Sequence, residues 1–326
     1  MKKLLLIQTA FIGDVILATA LIEKLHAQFP KATIDFLLRK GNESLLKGHP
    51  YLGEVIVWDK QQNKYGNLRK IISAVRKKKY DAVVNVQRFA AAGLVTALSG
   101  ATQKIGFEKN PFAFTFRHKL PHGIGDGRHE TERNQQLIAH LTDSNAARPK
   151  LYPSDKDRQQ IQPYQQLPYY CVAPTSVWFT KQFAREKWIE LLNGLPQNAA
   201  IFLLGAPDDQ AACAAIMESS NHPNTTNLAG KIGLLASAAL MQKAKMNYVN
   251  DSAPMHLTSA VNANVTAIFC STIPAFGFGP LSDNSRVVET TENLTCRPCG
   301  LHGHKACPQG HFKCAFSIPI STLLEP

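Results

Sequence analysis

Short apolar runs alternate along the whole chain with longer stretches whose apolar positions recur every three or four residues. Residues 4–7, 33–38, 55–58, 82–86 and 104–107 are such runs and read as strands. Between them, residues 14–28 place Val15, Ala18, Leu21, Ile22 and Leu25 on one helical face, and residues 68–75 and 90–98 read as further helices. Residues 129–141 read as a helix after a loop at 123–127 that begins and ends in glycine. Residues 148–168, rich in Pro, Gln and charge, lack apolar periodicity and read in part as an interdomain connection. A second alternation follows. Residues 169–173, 200–204, 246–249 and 265–269 read as strands, and 185–192, 208–217, 234–244 and 254–260 as helices. Apolar strands separated by helices imply parallel sheets covered on both faces. The expected fold class is therefore α/β, with two doubly wound domains, residues 1–160 and 161–326, facing each other across a cleft. Ligands of such sheets bind beyond the C-terminal ends of the strands, so each loop just after a strand is a candidate site.

Composition narrows the class. The 326 residues have room for two cores, and 44% hydrophobic residues is ordinary for a globular chain. Residues 1–155 carry 24 Lys and Arg against 13 Asp and Glu, a net +11 of the chain's +12. That half is built to meet or tolerate an anion, whether nucleic acid, a phosphorylated glycan or an anionic membrane surface. Arg76-Lys77-Lys78-Lys79 reads equally well as a solvated helix end that complements the helix dipole. The N-terminus imitates a secretory signal, but Gln8-Thr9 interrupts the apolar run after Leu4–Ile7 and Asp14 follows, whereas a signal core needs about 7–15 apolar residues. No run approaches the roughly 20 apolar residues of a membrane span. The chain is expected in the cytosol.

The strand-end loops carry the chemistry. Asn250-Asp251-Ser252-Ala253-Pro254-Met255-His256 joins a strand to a helix start. Pro254 suits the first helical turn, whose free N–H groups and positive dipole end suit a phosphate, with His256 one turn in. The alternative is that Asp251 or Ser252 caps an ordinary helix. Ile12-Gly13-Asp14 follows the first strand, and Asp14 is either an N-cap or a carboxylate placed as a general base. Thr175, Ser176 and Lys181 follow the first strand of the second half, and two hydroxyls and an ammonium suit phosphate oxygens. Asp209, after the next strand, suits the ribose hydroxyls of a nucleotide or caps a helix. Neither a P-loop motif nor Gly-x-Gly-x-x-Gly after a strand is present. Asp155-Lys156-Asp157 has the Asp-x-Asp form of metal-dependent sugar transferases but lies in the presumed connection.

Four segments together resemble glycosyltransferase family 9, the bacterial heptosyltransferases of lipopolysaccharide core assembly. They are Ile12-Gly13-Asp14-Val15; Pro174-Thr175-Ser176 with residues 178–188; Leu204-Gly205 with Asp208-Asp209; and residues 250–256 followed by 265–269. The resemblance covers nearly the whole length. It implies two Rossmann-like domains in the GT-B arrangement, the N-terminal one for an anionic lipopolysaccharide acceptor and the C-terminal one for a nucleotide sugar, usually ADP-heptose. It implies inverting transfer with no metal cofactor, in peripheral contact with the cytoplasmic face of the inner membrane. By position, Asp14 is then the general base. Thr175, Ser176 and Lys181 become diphosphate contacts and Asp209 the ribose ligand, while Asp251, Ser252, Ala253 and His256 form the pyrophosphate cradle. Lys181 and His256 would stabilise charge growing on the leaving diphosphate in place of a metal, at about 3–4 kcal/mol for one well-placed donor. Ala253 departs from the usual Gly, and Asp209 from the Glu of many relatives. Motif does not fix the acceptor residues; Arg88, Lys104, Arg117, His129 and Arg133 are the candidates.

Cys296-x2-Cys299-x7-Cys307-x6-Cys314 gathers four thiols within nineteen residues, with His302, His304 and His311 between them. A structural zinc site, reduced thiols and disulfides are all open, with zinc favoured over disulfides in a cytosolic chain. Cys171, Cys213 and Cys270 read as core residues. Two other functions fit parts of the pattern. A GT-B transferase with a different donor shares the same loops. A basic nucleic-acid-binding protein with a zinc module accounts for the charge and the thiols but not for a near-neutral half that holds the phosphate-type loops, so nucleic acid is not expected as a partner.

Overall fold

The computed structural model describes residues 1–325 and divides the chain into two compact units, Met1–Tyr152 and the part from Pro153 onward. The first unit runs β1 (Lys3–Ile7), α1 (Ile12–Gln28), β2 (Thr33–Arg39), β3 (Leu52–Trp58), α2 (Lys64–Lys77), β4 (Ala82–Asn85), α3 (Ala90–Leu98), β5 (Gln103–Phe107), β6 (His118–Leu120) and α4 (Glu130–Ile138). The second runs α5 (Asp155–Ile161), β7 (Tyr169–Ala173), α6 (Arg185–Gly194), β8 (Ala200–Leu203), α7 (Gln210–Ser219), β9 (Thr225–Asn227), α8 (Leu234–Lys243), β10 (Asn247–Asn250), α9 (Ala253–Ala260), β11 (Val265–Phe269), β12 (Ser285–Glu289), α10 (Lys313–Phe316) and α11 (Ser321–Leu324).

Each unit holds one six-stranded parallel sheet, ordered β3-β2-β1-β4-β5-β6 in the first and β12-β11-β10-β7-β8-β9 in the second. Leu4–Ile7 on β1 and every residue of β11 are buried, as strands covered on both faces must be. Fully burying one such Leu or Ile contributes about 1.5–3 kcal/mol. In the first unit the chain winds one way from β1 to β3 and the other way from β4 to β6. In the second it does the same from β7 and from β10. The sheet order thus reverses between β1 and β4 and between β7 and β10, and these are the two points where such sheets open a crevice for ligands.

The expected strands and helices are found, with three strands added. β6, β9 and β12 are each an outer strand, with the sequences His-Lys-Leu, Thr-Thr-Asn and Ser-Arg-Val-Val-Glu. An outer strand is covered on fewer sides and needs no apolar run, so periodicity passes over it. Residues 148–168 are not all connection. Ser154 caps α5, its hydroxyl accepting from the Asp157 amide while Asp157 accepts from the Ser154 amide. Ile161 is the one buried residue of α5, which explains the missing periodicity. The unit boundary therefore falls at Tyr152/Pro153, ahead of α5, rather than at 160/161. Asp157 of the Asp-x-Asp sequence is occupied as a cap. Among the described residues no helix is long and apolar enough to cross a membrane.

Candidate active site

In the second unit the loops after β8, β7, β10 and β11 lie side by side, because those strands are neighbours in that order. Lys181 ends a short 3-10 turn, Phe179–Lys181, after β7. Its ammonium lies 2.7 Å from Asp251 Oδ2, and Thr272 Oγ1 donates to the same oxygen at 2.6 Å. Both partners of the ion pair are largely buried, with side chains 15% and 8% exposed. The switch point thus holds a positive charge paired with a carboxylate just after β10, which a hydroxyl from the loop after β11 holds in turn. The Asp251 carboxylate is engaged as an acceptor with both Lys181 and Thr272.

Ser252 is the N-cap of α9, and its hydroxyl turns back to the Asn250 carbonyl at 3.4 Å instead of capping the helix. The Met255 amide closes onto the Ser252 carbonyl. Ala253 and Pro254 form the first turn, and Pro254 has no amide to satisfy. His256 is buried within α9. Thr175 and Ser176 are half-buried in the loop after β7, beside the exposed Val177. Asp209 ends the 3-10 turn Pro207–Asp209, and its Oδ2 accepts the Ala206 amide at 2.8 Å, so one carboxylate oxygen caps as the plainer reading expects.

Asp14 lies in the first unit, in the first turn of α1 just after β1. Phe11 is the N-cap, which removes the N-cap reading for Asp14. The carboxylate instead bonds back to the backbone at Phe11 and at its own amide. Burial, reinforced by the charge of Glu130 and opposed by those backbone bonds and Arg88, raises its pKa from 3.8 to about 6. Arg88 follows β4 across the switch point, half-buried. His129 is the N-cap of α4, its ring accepting from the Thr131 amide while Glu132 accepts from the His129 amide. Arg133 is buried and donates to Glu130 Oε2 at 2.8 Å and to the Arg128 carbonyl. These three acceptor candidates share the strand-end edge with Asp14. Lys104 and Arg117 do not. Lys104 sits at the start of β5 with its ammonium on the Ala97 carbonyl of α3, and Arg117 is exposed just before β6, both at the opposite edge of the sheet.

Some residues of the site take on a role that their place in the sequence does not state. Asn250 is buried; its Oδ1 accepts the Phe183 amide at 2.8 Å and its amide group reaches the carbonyls of Ala173 and Thr175, pinning both ends of the loop that bears Lys181. Lys60, after β3, donates to Thr9 Oγ1 at 2.8 Å, and burial beside Arg39 and Lys64 lowers it to about 8. Glu130 lies among the acceptor candidates yet is an acid. Only three-dimensional neighbours give these residues meaning.

The thiol-bearing segment packs on the same edge. The His304 amide donates to Thr180 Oγ1 at 2.7 Å, and the Thr180 amide returns to the His304 carbonyl. A side chain on Gly303 would meet Thr180 Oγ1 at 2.7 Å and the Lys181 stem at 3.1 Å. The Arg297 guanidinium donates to the carbonyls of Phe269, Cys270 and Thr272 at the end of β11. Of the three readings left open for the clustered thiols, the zinc site is not assembled. Among the described residues no three His, Cys, Asp or Glu side chains form a group that could hold a metal ion. Cys314 is buried in the hydrophobic core around Trp188, and the Cys299 thiol donates to the Cys296 carbonyl. All seven thiols are free.

The model of glycosyltransferase family 9 (heptosyltransferase) matches residues 68–306. Lipopolysaccharide heptosyltransferase 3 of Escherichia coli is 27% identical over 292 residues, covering 84% of this chain and 85% of that one. Among solved structures, E. coli ADP-heptose lps heptosyltransferase II superposes with a TM-score of 0.78 at 22% identity, covering 96% of this chain and 97% of the other. E. coli heptosyltransferase WaaC with ADP-2-deoxy-2-fluoro heptose does so at 0.72 and 18% identity, covering 91% and 96%. The two parallel, doubly wound units are the GT-B fold of these enzymes.

Proposed function

The chain belongs to glycosyltransferase family 9 and is a glycosyltransferase, and from that premise we propose that it moves heptose from ADP-heptose onto the inner core of lipopolysaccharide, inverting the anomeric centre without a metal ion. The observation that carries this reading is the Lys181 ammonium held 2.7 Å from Asp251 at the switch point of the second unit. Thr175, Ser176 and the start of α9 line the loops on either side. A diphosphate placed there meets a cation, two hydroxyls and a helix amino end, the donor set that a leaving diphosphate needs. Asp209 would take the ribose, and His256 would support the cradle. In the first unit Asp14 would remove the proton from the acceptor hydroxyl, and Arg88, His129 and Lys60 would face the acceptor's anionic groups, while the buried Arg133 stays paired with Glu130.

As the acceptor oxygen bonds to the anomeric carbon on one face, the bond to the diphosphate breaks on the other. The proton goes to Asp14, and the electron pair leaves with ADP. The +11 charge of residues 1–155 supports the first unit as the acceptor side and supports peripheral contact with the anionic cytoplasmic face of the inner membrane.

ADP is expected to raise the melting temperature, and UDP and NAD are not. Equal stabilisation by UDP would overturn the donor assignment. Lys181→Ala should weaken ADP binding about tenfold or more, the loss typical of one charge-assisted contact. Transfer that stopped on chelation of divalent cations would overturn the metal-free reading.

A further inference from the structure

We infer that Glu130 is a positioning residue for the transfer reaction: a second carboxylate, fixed beside the first turn of α1, whose charge holds Asp14 ready to take the acceptor proton. The inference rests on the reading of Asp14 as the base.

Glu130 is only 8% exposed, and a carboxylate is seldom buried unless it is paired. It has two partners. Arg133 Nε donates to Oε2 at 2.8 Å, and His122 Nε2 lies 3.3 Å from the same oxygen. Each partner is itself held. The His122 ring packs edge-on against Phe107 with centroids 4.6 Å apart. Arg133 also donates to the Arg128 carbonyl and lies 3.6 Å from Asp126. Burial alone would raise the Glu130 carboxyl, but His122 and Arg133 outweigh it and hold the group below the usual range, so it carries its charge. Capping does not explain the residue, because His129 and Glu132 already close the start of α4. Glu130 is thus a buried, ionised acid in the first turn of α4 whose carboxylate is not the cap.

Its role is set by its neighbour. α1 packs on α4, and Asp14 and Glu130 stand in the first turn of each, at the same edge of the sheet. The groups that act on Asp14 are Glu130 from α4, Arg88 from the connection after β4, and the backbone at Phe11 and Asp14 on its own element. A like charge nearby makes a carboxylate bind a proton more tightly, and Arg88 limits the effect. A general base works best when its proton affinity lies near the working pH. Glu130 takes no proton itself. The hydroxyl proton passes to Asp14 while the new C–O bond forms, and Glu130 lowers the energy of the state in which Asp14 has accepted it.

The test is the pH profile of heptose transfer by the full chain. Glu130→Gln keeps the size and removes the charge. Its acid limb should move down by about half a pH unit or more, with kcat reduced several-fold and KM for ADP-heptose changed less than about twofold. A folded Glu130→Gln chain with an unmoved limb overturns the inference. Asp14→Asn, measured beside it, separates the two claims. If Asp14→Asn is inactive and the limb of Glu130→Gln is unmoved, only the role of Glu130 falls; if Asp14→Asn still turns over, the base assignment falls first. Should Glu130→Gln not fold, Glu130→Asp draws the charge back by one methylene. The Asp14 carboxyl, followed by carbon NMR, should then titrate lower than in the parent chain, and an identical titration would overturn the inference.

Discussion

Asp14 ionises at about 6 in the folded chain against 3.8 unperturbed, so the native state binds its proton more tightly than the unfolded one. Folding therefore gains from this group below about pH 4, and the gain is lost as pH rises through about 6. At neutral pH the buried carboxylate costs up to about 3 kcal/mol, less whatever solvent reaches it. Asp14→Asn should accordingly raise the melting temperature at pH 7 and leave it nearly unchanged at pH 4, while turnover falls by orders of magnitude. A variant less stable at pH 7 than the parent would contradict the burial argument. The parent enzyme's kcat/KM should drop below about pH 6, where Asp14 becomes protonated.

At the scale of elements, the loop between β7 and α6 depends on one side chain. Asn250→Ala removes the acceptor of the Phe183 amide and the donor to two carbonyls within the unit's core, at a cost of about 2–3 kcal/mol. Because the same loop carries Lys181, ADP affinity should fall together with stability in denaturant titration and calorimetry; stability lost with ADP affinity intact would detach the loop from the site. The inner strands were legible from sequence because burial on both faces demands a continuous apolar run, as in Leu4–Ile7. The outer strands β6, β9 and β12 were not, since their partly exposed positions tolerate His118, Thr226 and Arg286. Of the candidate site, the strand-end positions of Asp14, Lys181 and Asp251 were legible, because each motif adjoins a strand. The site was opaque where a role comes from a distant partner. Nothing local marks Glu130 as the neighbour of Asp14, or shows that Lys104 is spent on the Ala97 carbonyl. The capping of Ala206 by Asp209 was the duller of two readings, and one of its oxygens bears it out.

For the molecule as a whole, the charge split and the two units lead to one expectation. If the nucleotide sits at the switch point of the second unit, ADP should slow amide hydrogen exchange in the loops after β7, β8, β10 and β11 and leave Met1–Tyr152 unchanged. Protection in the first unit instead would put the donor on the wrong half of the chain. The segment from Cys296 to Cys314 would share that protection through the paired amides of Thr180 and His304. Cys296, Cys299 and Cys307 are partly open to solvent, while Cys171, Cys213, Cys270 and Cys314 are buried. A maleimide dye would therefore attach to the outer three first. Hydrogen-bonded through His304 to Thr180, the neighbour of the lysine proposed to hold the diphosphate, such a label would serve as an optical gauge of donor occupancy, reporting each filling and emptying without touching the reacting groups.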